Sequence, residues 1–388
     1  MKRILLITTV CACGLLPLQA QSVDEVLQSV AQHNKSIQAQ QKNGEAEKIG
    51  IEAENSLEDP TVEYSSFFSK GVNGQSGSEL VVSQGFDFPT VYNSRNRAGR
   101  DKKEAVDYRA EALRRNVLLE AKTLCLDMIR LNRQRDLLDK RMQNADELLA
   151  LYEERWRAGD ATVIEVNKIK MERMSIQTEV LQNHTDHRTA LQSLLALNGN
   201  MPLTFEGREY PTVPTTLDFE ALCDEVLGQD AELKAATRAA ERNLTVNRQK
   251  WLPKLEIGYR RNTGEGSKEH GFLVGGSIPL FSNRRQVRMA QAQSIGTRLQ
   301  ADEIRLKAEA ALHSGFNELQ QLGRAMSVYD QPLMTQTLEL LKESVKGGEL
   351  SVTDYFVEAD QIYRNLQAYM ELECQYQKVA ATLYKNRL

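Results

Sequence analysis

The sequence predicts a mainly α-helical protein with a small β part, built as two copies of one structural plan. A turn motif, Arg157-Ala-Gly-Asp-Ala-Thr-Val-Ile-Glu165, recurs later in the chain as Lys346-Gly-Gly-Glu-Leu-Ser-Val-Thr-Asp354. Each copy lies between two long stretches of helical periodicity, and each half of the chain has two short stretches of alternating hydrophobic residues. Together these observations predict long antiparallel helices and two β-hairpins.

Both copies of the motif have the residue types of a tight helix-turn-helix. Each contains a glycine, a hydroxyl residue and an acid at three-residue spacing: Gly159, Thr162 and Glu165, then Gly348, Ser351 and Asp354. The glycine can adopt the left-handed conformation that ends a helix. The hydroxyl residue and the acid can form a capping box that starts the next helix. Two unrelated capped turns are the alternative interpretation of the motif taken alone.

The N-terminal residues predict a secretory signal peptide over residues 1–20. Basic residues precede an apolar run over residues 4–18, and the closing Leu18-Gln19-Ala20 predicts cleavage after Ala20. The run is too short and too close to the N-terminus for a spanning helix. A lipoprotein is the alternative because Cys11 and Cys13 lie in the run, although neither follows the usual lipidation triplet.

The composition argues against several classes of function. The formal net charge is −4 and basic residues do not cluster on one segment, so nucleic-acid binding has no support. Cys125, Cys223 and Cys374 are far apart in helical patterns and are interpreted as small core residues. His184 and His187 have no third metal ligand nearby, and no catalytic motif is found. We therefore predict a protein that is not an enzyme, with no catalytic residues, metal site or cofactor.

The first repeat, residues 21–198, is predicted to begin with helix up to Asp59-Pro60, with a break near His33. Strands follow at about 61–69 and 80–88, joined by a Gly/Asn/Ser loop. A long helix is predicted over about 99–158, with apolar residues at heptad-like spacing up to Trp156. The turn at 159–162 reverses this helix into a shorter one.

Residues 199–216 are rich in proline and predict an irregular connection at mid-height, before the second repeat at residues 217–388. In that repeat, strands are predicted at about 254–262 and 271–280. The second long helix is predicted over about 284–346, with Pro332 as a kink. The turn at 347–351 then reverses the chain.

The strands have the length of a tilted membrane crossing. In the last hairpin the alternation predicts one side facing lipid and the other facing a lumen: Phe272, Val274, Ile278 and Leu280 on the first, Leu273, Gly275 and Ser277 on the second. Two strands per repeat cannot close a barrel in one chain, and lipid does not tolerate an open sheet edge. Membrane insertion would therefore require several copies. A soluble hairpin is the alternative, although an isolated hairpin is marginally stable in water.

The order of these features resembles the TolC family of outer-membrane efflux channels over essentially the whole mature chain. The matching residues of the first repeat are Asp59-Pro60, Ser83-Gln-Gly-Phe-Asp-Phe-Pro89 and Ser94-Arg-Asn-Arg97. Those of the second are Leu252-Pro253 and Ser277-Ile-Pro-Leu-Phe281, and both repeats contribute a capped turn. The Asp-Pro before the first strand and the Gln-x-x-x-x-Pro after the second are more similar to the heavy-metal branch, the CusC and CzcC type, than to TolC itself.

The resemblance implies a homotrimer in the outer membrane of a Gram-negative bacterium. Four strands from each of the three chains would form a twelve-stranded transmembrane β-barrel, and the helices would form a periplasmic α-barrel. The implied function is the passive exit duct of a tripartite efflux system of the RND type, with heavy-metal cations as one candidate cargo. The implied partners are a periplasmic adaptor (a membrane fusion protein), an inner-membrane pump and outer-membrane lipid.

Carried over residue by residue, the resemblance places four residues at the adaptor-facing tip of the tunnel: Gly159, Thr162, Gly348 and Ser351. Glu165 and Asp354 match acidic positions near the constricted entrance. The second turn departs from TolC at Leu350, which replaces a gating arginine, and at Val357, which replaces another acid. The TolC locking network is therefore not implied here.

The alternative function, from another class, is a periplasmic coiled-coil adaptor or scaffold without a membrane span. Adaptors also carry helical hairpins, but their strands build soluble β domains rather than two isolated hairpins. The membrane fraction that contains the protein distinguishes the two functions.

Overall fold

The computed structural model describes residues 22–68, 74–213, 219–228, 231–264, 267–279 and 283–388. The predicted signal peptide, Cys11, Cys13 and Leu280 lie outside the described residues. The chain forms two compact units, and each unit draws on both sequence repeats. The first unit contains residues 22–34, 118–213 and 319–381, and the second contains 382–388 and the described parts of 35–117 and 214–318.

The first unit is a helical bundle. Its helices are α1 (Val23–His33), the C-terminal part of α3 (Pro89–Ala158), α4 (Val163–Leu197), α8 (Gln331–Gly347) and most of α9 (Val352–Leu383). Buried apolar side chains recur along this part of α3 at the predicted spacing, including Met128, Leu131, Leu138 and Tyr152, whereas Trp156 at the end of the pattern is exposed. Cys125 and Cys374 are buried in this unit, as expected for small core residues. Burial raises the pKa of the Cys125 thiol to about 12, so this cysteine is protonated and unreactive at neutral pH.

The second unit combines helices with a sheet. Its helices are α2 (Lys35–Ala53), the N-terminal part of α3, α5 (Phe219–Gly228), α6 (Ala231–Gln249) and most of α7 (Asn283–Met326), and a 3-10 turn at Lys385–Arg387 follows α9. Cys223, on α5, is half-buried rather than buried. None of the described helices is both long enough and apolar enough to cross a membrane.

The two long helices differ from the predicted bounds for reasons connected with proline. α3 begins at Pro89, ten residues before the predicted start at Gly99, because proline is well suited to the first position of a helix. The predicted helix over 284–346 is interrupted at 327–330 instead of being kinked within one helix. Asp330 caps α8 by accepting a 3.0 Å hydrogen bond from the Leu333 amide, and Pro332 lies in the first turn. Proline is tolerated there because the first amides of a helix have no partner within the helix.

The four strands form one antiparallel sheet in the order β1-β2-β3-β4. Their bounds are β1 Thr61–Phe67, β2 Gly77–Phe86, β3 Lys254–Gly264 and β4 Ser267–Ser277. Pairing of β2 with β3 joins the hairpins of the two repeats, from Gly77 opposite Gly264 to Phe86 opposite Leu255. β3 and β4 extend further toward their turn than the predicted strands at 254–262 and 271–280, because the Gly/Ser-rich segment continues the ladder.

Candidate functional site

The first capped turn has the local geometry that its sequence predicts. Gly159 adopts a positive φ of 85°. The amide of Asp160 donates to the Arg155 carbonyl at 2.8 Å and that of Gly159 to the Trp156 carbonyl at 3.1 Å, which is the Schellman pattern. The Glu165 amide then donates to Thr162 Oγ1 at 3.2 Å, and Glu165 Oε2 accepts from the Thr162 amide at 2.7 Å.

The capping box also determines the electrostatics of Glu165. Hydrogen bonds from the Thr162 amide and then from its hydroxyl lower the pKa of this carboxyl below its usual range. Glu165 is therefore ionised at neutral pH, with one carboxylate oxygen held at the start of α4. An anion at this end of a helix is favourable because of the helix dipole.

The second capped turn has the same backbone pattern with a shorter acid. Gly348 has a φ of 81°, and the Glu349 amide donates to the Ser344 carbonyl at 2.9 Å. The Asp354 amide donates to Ser351 Oγ at 3.1 Å. The Ser351 hydroxyl in turn donates to Asp354 Oδ2 at 2.7 Å. The predicted left-handed glycines and hydroxyl caps are thus present in both turns. The first turn completes the predicted capping box, whereas in the second the Asp354 carboxylate contacts the Ser351 hydroxyl.

The two turns lie on one hydrophobic core, although the sequence places them far apart. Within the first unit, buried side chains from the end of α3, the start of α4, the end of α8 and the start of α9 form a single cluster. Its members are Leu148, Tyr152, Val166, Ile169, Leu338, Val345, Val352, Tyr355, Phe356, Ala359, Tyr363 and Leu366. Both helical reversals therefore belong to the same end of the bundle.

Polar contacts connect α3 with α8 beside this core. Arg155 Nη2 donates to the Lys346 carbonyl at 2.6 Å. Glu147 accepts from Lys342 at 2.9 Å and from Lys346 at 3.1 Å. These two hydrogen bonds lower the pKa of Glu147 to about 2. Arg155 was missed at the sequence level, because this side chain in the last turn of α3 donates to the carbonyl end of a different helix, α8.

The two turns differ in the apolar surface they expose. Trp156, Val163 and Ile164, beside the first turn, are 50%, 51% and 75% exposed. Val352, the counterpart of Val163 in the second turn, is fully buried in the shared core. Leu350 packs against that core. The exposed apolar group at the first turn was also missed, and the only sequence signal is the Val-Ile pair directly after the Thr162 cap.

The sheet in the second unit has a mainly apolar face, which also carries Gln84 and, near the hairpin turns, Arg261, Lys268 and His270. The opposite face carries charged residues together with Val81 and Leu273. Register places the members of the apolar face opposite one another in rows: Val62, Tyr64, Leu80, Val82, Phe86, Leu255, Ile257, Tyr259, Phe272 and Val274. The opposite face carries Glu63, Glu79, Lys254, Glu256, Arg260 and Glu269. Phe272 and Val274 are 94% and 82% exposed and lie on the opposite face from Leu273, Gly275 and Ser277, which agrees with the predicted alternation. Ile278 is exposed but follows the end of β4.

The described residues include no group of three or more His, Cys, Asp or Glu side chains placed to hold a metal ion. Asp354 is exposed, while the Glu165 side chain is half-buried against its cap. The chemistry available at the turns is therefore charge, hydrogen bonding and apolar contact.

Several solved structures superpose on nearly the whole of this chain. CusC superposes with a TM-score of 0.76 at 14% identity, over 94% of this chain and 92% of CusC. The outer membrane protein VceC from Vibrio cholerae gives 0.74 at 16% identity, over 93% of this chain and 95% of VceC. The chain has the TolC-type channel fold. The Campylobacter jejuni CmeC outer membrane channel also superposes on the chain, with a TM-score of 0.75 at 15% identity, over 94% of this chain and 84% of CmeC.

The predicted fold class is confirmed by these superpositions. No protein-family model matches the sequence, and no curated protein matches it. At identities of 14–16% the likeness establishes the fold alone.

Proposed function

We propose that the chain is the outer-membrane exit duct of a tripartite efflux system. In this role it conducts substrate passively from a periplasmic adaptor and an inner-membrane pump to the exterior. The observation that carries the proposal is the sheet, which combines an exposed apolar face with a charged opposite face. This is the side-chain pattern of a transmembrane barrel wall, with apolar residues outward and polar residues toward water.

The edges of the sheet provide the argument for a trimer. In the described residues β1 and β4 are the outer strands, each paired on one side only. Lipid cannot satisfy the free amide and carbonyl groups of such an edge. Pairing β4 of one copy with β1 of the next removes both edges, and three copies of the four-stranded sheet give the twelve-stranded barrel of the TolC plan.

The end of the helical bundle that carries both turns is the proposed adaptor-docking tip. Gly159, Thr162, Gly348 and Ser351 shape its backbone, and the first turn adds exposed apolar side chains. Exposed apolar residues surrounded by polar ones are typical of protein interfaces. We assign the stronger docking contact to the first turn, since Ile164 is exposed there while Val352 of the second turn is buried.

Glu165 and Asp354 are the proposed entrance acids. Three copies of each in a trimer would favour cations over anions by ordinary electrostatics. The CusC-like sequence features favour a pump of the RND type. Heavy-metal cations are the cargo that agrees both with these features and with an acidic entrance.

Membrane fractionation combined with particle sizing tests the proposal. The mature protein should be found in the outer membrane, and the detergent-solubilised particle should have the mass of three chains by light scattering. Recovery in the soluble or inner-membrane fraction would favour the adaptor or scaffold alternative. A stable monomer in detergent would contradict closure of the barrel by three copies.

Site-specific photo-crosslinking in cells tests the docking surface. A photoreactive residue at Ile164 should crosslink to a periplasmic membrane fusion protein. Met174 is the control, because it is exposed on the same helix about 15 Å further from the turn. Equal crosslinking from both positions would show that the tip does not define the contact.

A further inference from the structure

Three basic side chains follow the apolar face of the sheet at the end nearest the hairpin turns. Arg261 of β3 pairs with His270 of β4, in the same row as Tyr64 and Leu80. Lys268 of β4 lies in the next row, opposite Thr263. All three side chains are exposed. Residues directly opposite are about 5 Å apart at Cβ and alternate residues of one strand about 7 Å apart, so the three form one compact group.

The charges of the sheet are segregated between its faces. Every carboxylate in the described strands, namely Glu63, Glu79, Glu256 and Glu269, lies on the opposite face from this group. Arg260, next to Arg261 in sequence, lies on that opposite face and pairs with Glu79 at 2.8 Å. On the apolar face, by contrast, the two nearest rows offer only hydroxyl, aromatic and aliphatic neighbours among the described residues. The basic group is therefore positioned to attract an anion from outside the sheet.

The position of the basic group along the strands indicates which kind of anion it can meet. β1 and β3 follow α2 and α6, and β2 and β4 lead into α3 and α7, so the helices are attached at one end of the sheet and the turns lie at the other. The basic group directly borders the rows containing Phe272 and Val274. If the apolar rows contact acyl chains, the basic group lies at headgroup depth on the side away from the helices.

We propose that Arg261, Lys268 and His270 bind the phosphate groups of a phosphorylated lipid headgroup at the outer surface of the barrel. Guanidinium and ammonium groups form charge-assisted hydrogen bonds with phosphate, and adjacent acyl chains would cover the apolar rows. This assignment rests on the proposed outer-membrane function. It adds a lipid-binding site to a face that the channel function requires only to be apolar.

Native mass spectrometry of the detergent-solubilised particle with defined lipids tests this assignment. Trimer mass and outer-membrane location are verified first, so that failure of the channel proposal is recognised separately. The probes are bisphosphorylated lipid A, the same lipid after enzymatic removal of its phosphates, and inorganic phosphate. Arg260→Gln is the matched control for Arg261→Gln, because each removes one positive charge from neighbouring positions on opposite faces.

Arg261→Gln should weaken binding of bisphosphorylated lipid A about fivefold, and the Arg261→Gln, Lys268→Gln double variant about 25-fold. Arg260→Gln should leave binding unchanged, and the dephosphorylated lipid should bind wild type as weakly as the double variant binds the phosphorylated one. Equal weakening by Arg260→Gln would overturn the assignment, as would equal affinity for both lipids. Displacement of the lipid by millimolar inorganic phosphate would show instead a site for free anions.

Discussion

Substitution of Gly348 tests whether the left-handed turn is a conformational requirement of the tip. The glycine has a φ of 81°, and a Cβ atom at this position would meet no other atom within 4 Å. The penalty for another residue is therefore confined to the backbone. The penalty amounts to about 1–2 kcal/mol for an ordinary L-residue, and for a β-branched residue it is at the upper end of this range or above it. Asparagine, which tolerates this conformation, should cost less.

Hydrogen exchange in the full-length protein measures this penalty locally. The amides to follow are those of Glu349, which donates to the Ser344 carbonyl, and Asp354, which donates to the Ser351 cap. A loss of 1–2 kcal/mol corresponds to exchange about 5–30 times faster in Gly348→Val. Gly348→Asn should exchange nearly as slowly as wild type. Protection elsewhere in the bundle should be unchanged, because the penalty does not involve packing.

Gly199 provides the control for this reasoning. It also has a positive φ, of 63°, but a Cβ there would lie 2.5 Å from the His33 carbonyl oxygen. Gly348→Asn should therefore keep nearly the protection of wild type, whereas Gly199→Asn should lose protection around its own turn. The reasoning is refuted if Gly348→Asn accelerates exchange as much as Gly348→Val, or if Gly348→Val has no effect.

Three further predictions concern the sheet, the ion pairs and the entrance. Val274→Arg should destabilise membrane insertion by about 2–4 kcal/mol. Leu273→Arg, at nearly the same depth on the charged face, should destabilise it by far less. Equal loss of outer-membrane trimer in the two variants would contradict the assigned faces. The pKa of Glu147 falls from 4.5 to about 2 on folding, so its stabilising contribution is complete above pH 4.5 and lost as pH falls through about 2. The melting-temperature difference between wild type and Glu147→Gln should follow this course, and a difference that persists below pH 2 would exclude the lysine pairing as its cause. Asp354→Asn should reduce the cation preference of single-channel current in planar bilayers, most at low salt; an unchanged reversal potential would place Asp354 away from the entrance.

The features that the sequence predicts correctly depend on interactions within a few residues. A glycine followed by a hydroxyl cap and an acid predicts a Schellman turn and a capped helix, since all their hydrogen bonds join residues at most six positions apart. Alternation in the strands likewise predicts that Phe272 and Val274 share one face, because successive side chains point to opposite sides. The start of α3 at Pro89 and the new helix capped by Asp330 also have local signals, since proline suits the first turn of a helix and aspartate suits the cap.

Only the tertiary structure decides how residues with the same local signals are used. Val163 and Val352 each follow a hydroxyl cap, yet one is exposed and the other is buried in the core that joins both turns. The pairing of β2 with β3, and the units that each combine parts of both repeats, are also long-range results. The backbone hydrogen bonds that end the helix before each turn follow the same pattern in both repeats, so they cannot decide which of the two valines is buried. Burial depends on which distant segments pack against each position, and that information is distributed over the whole chain.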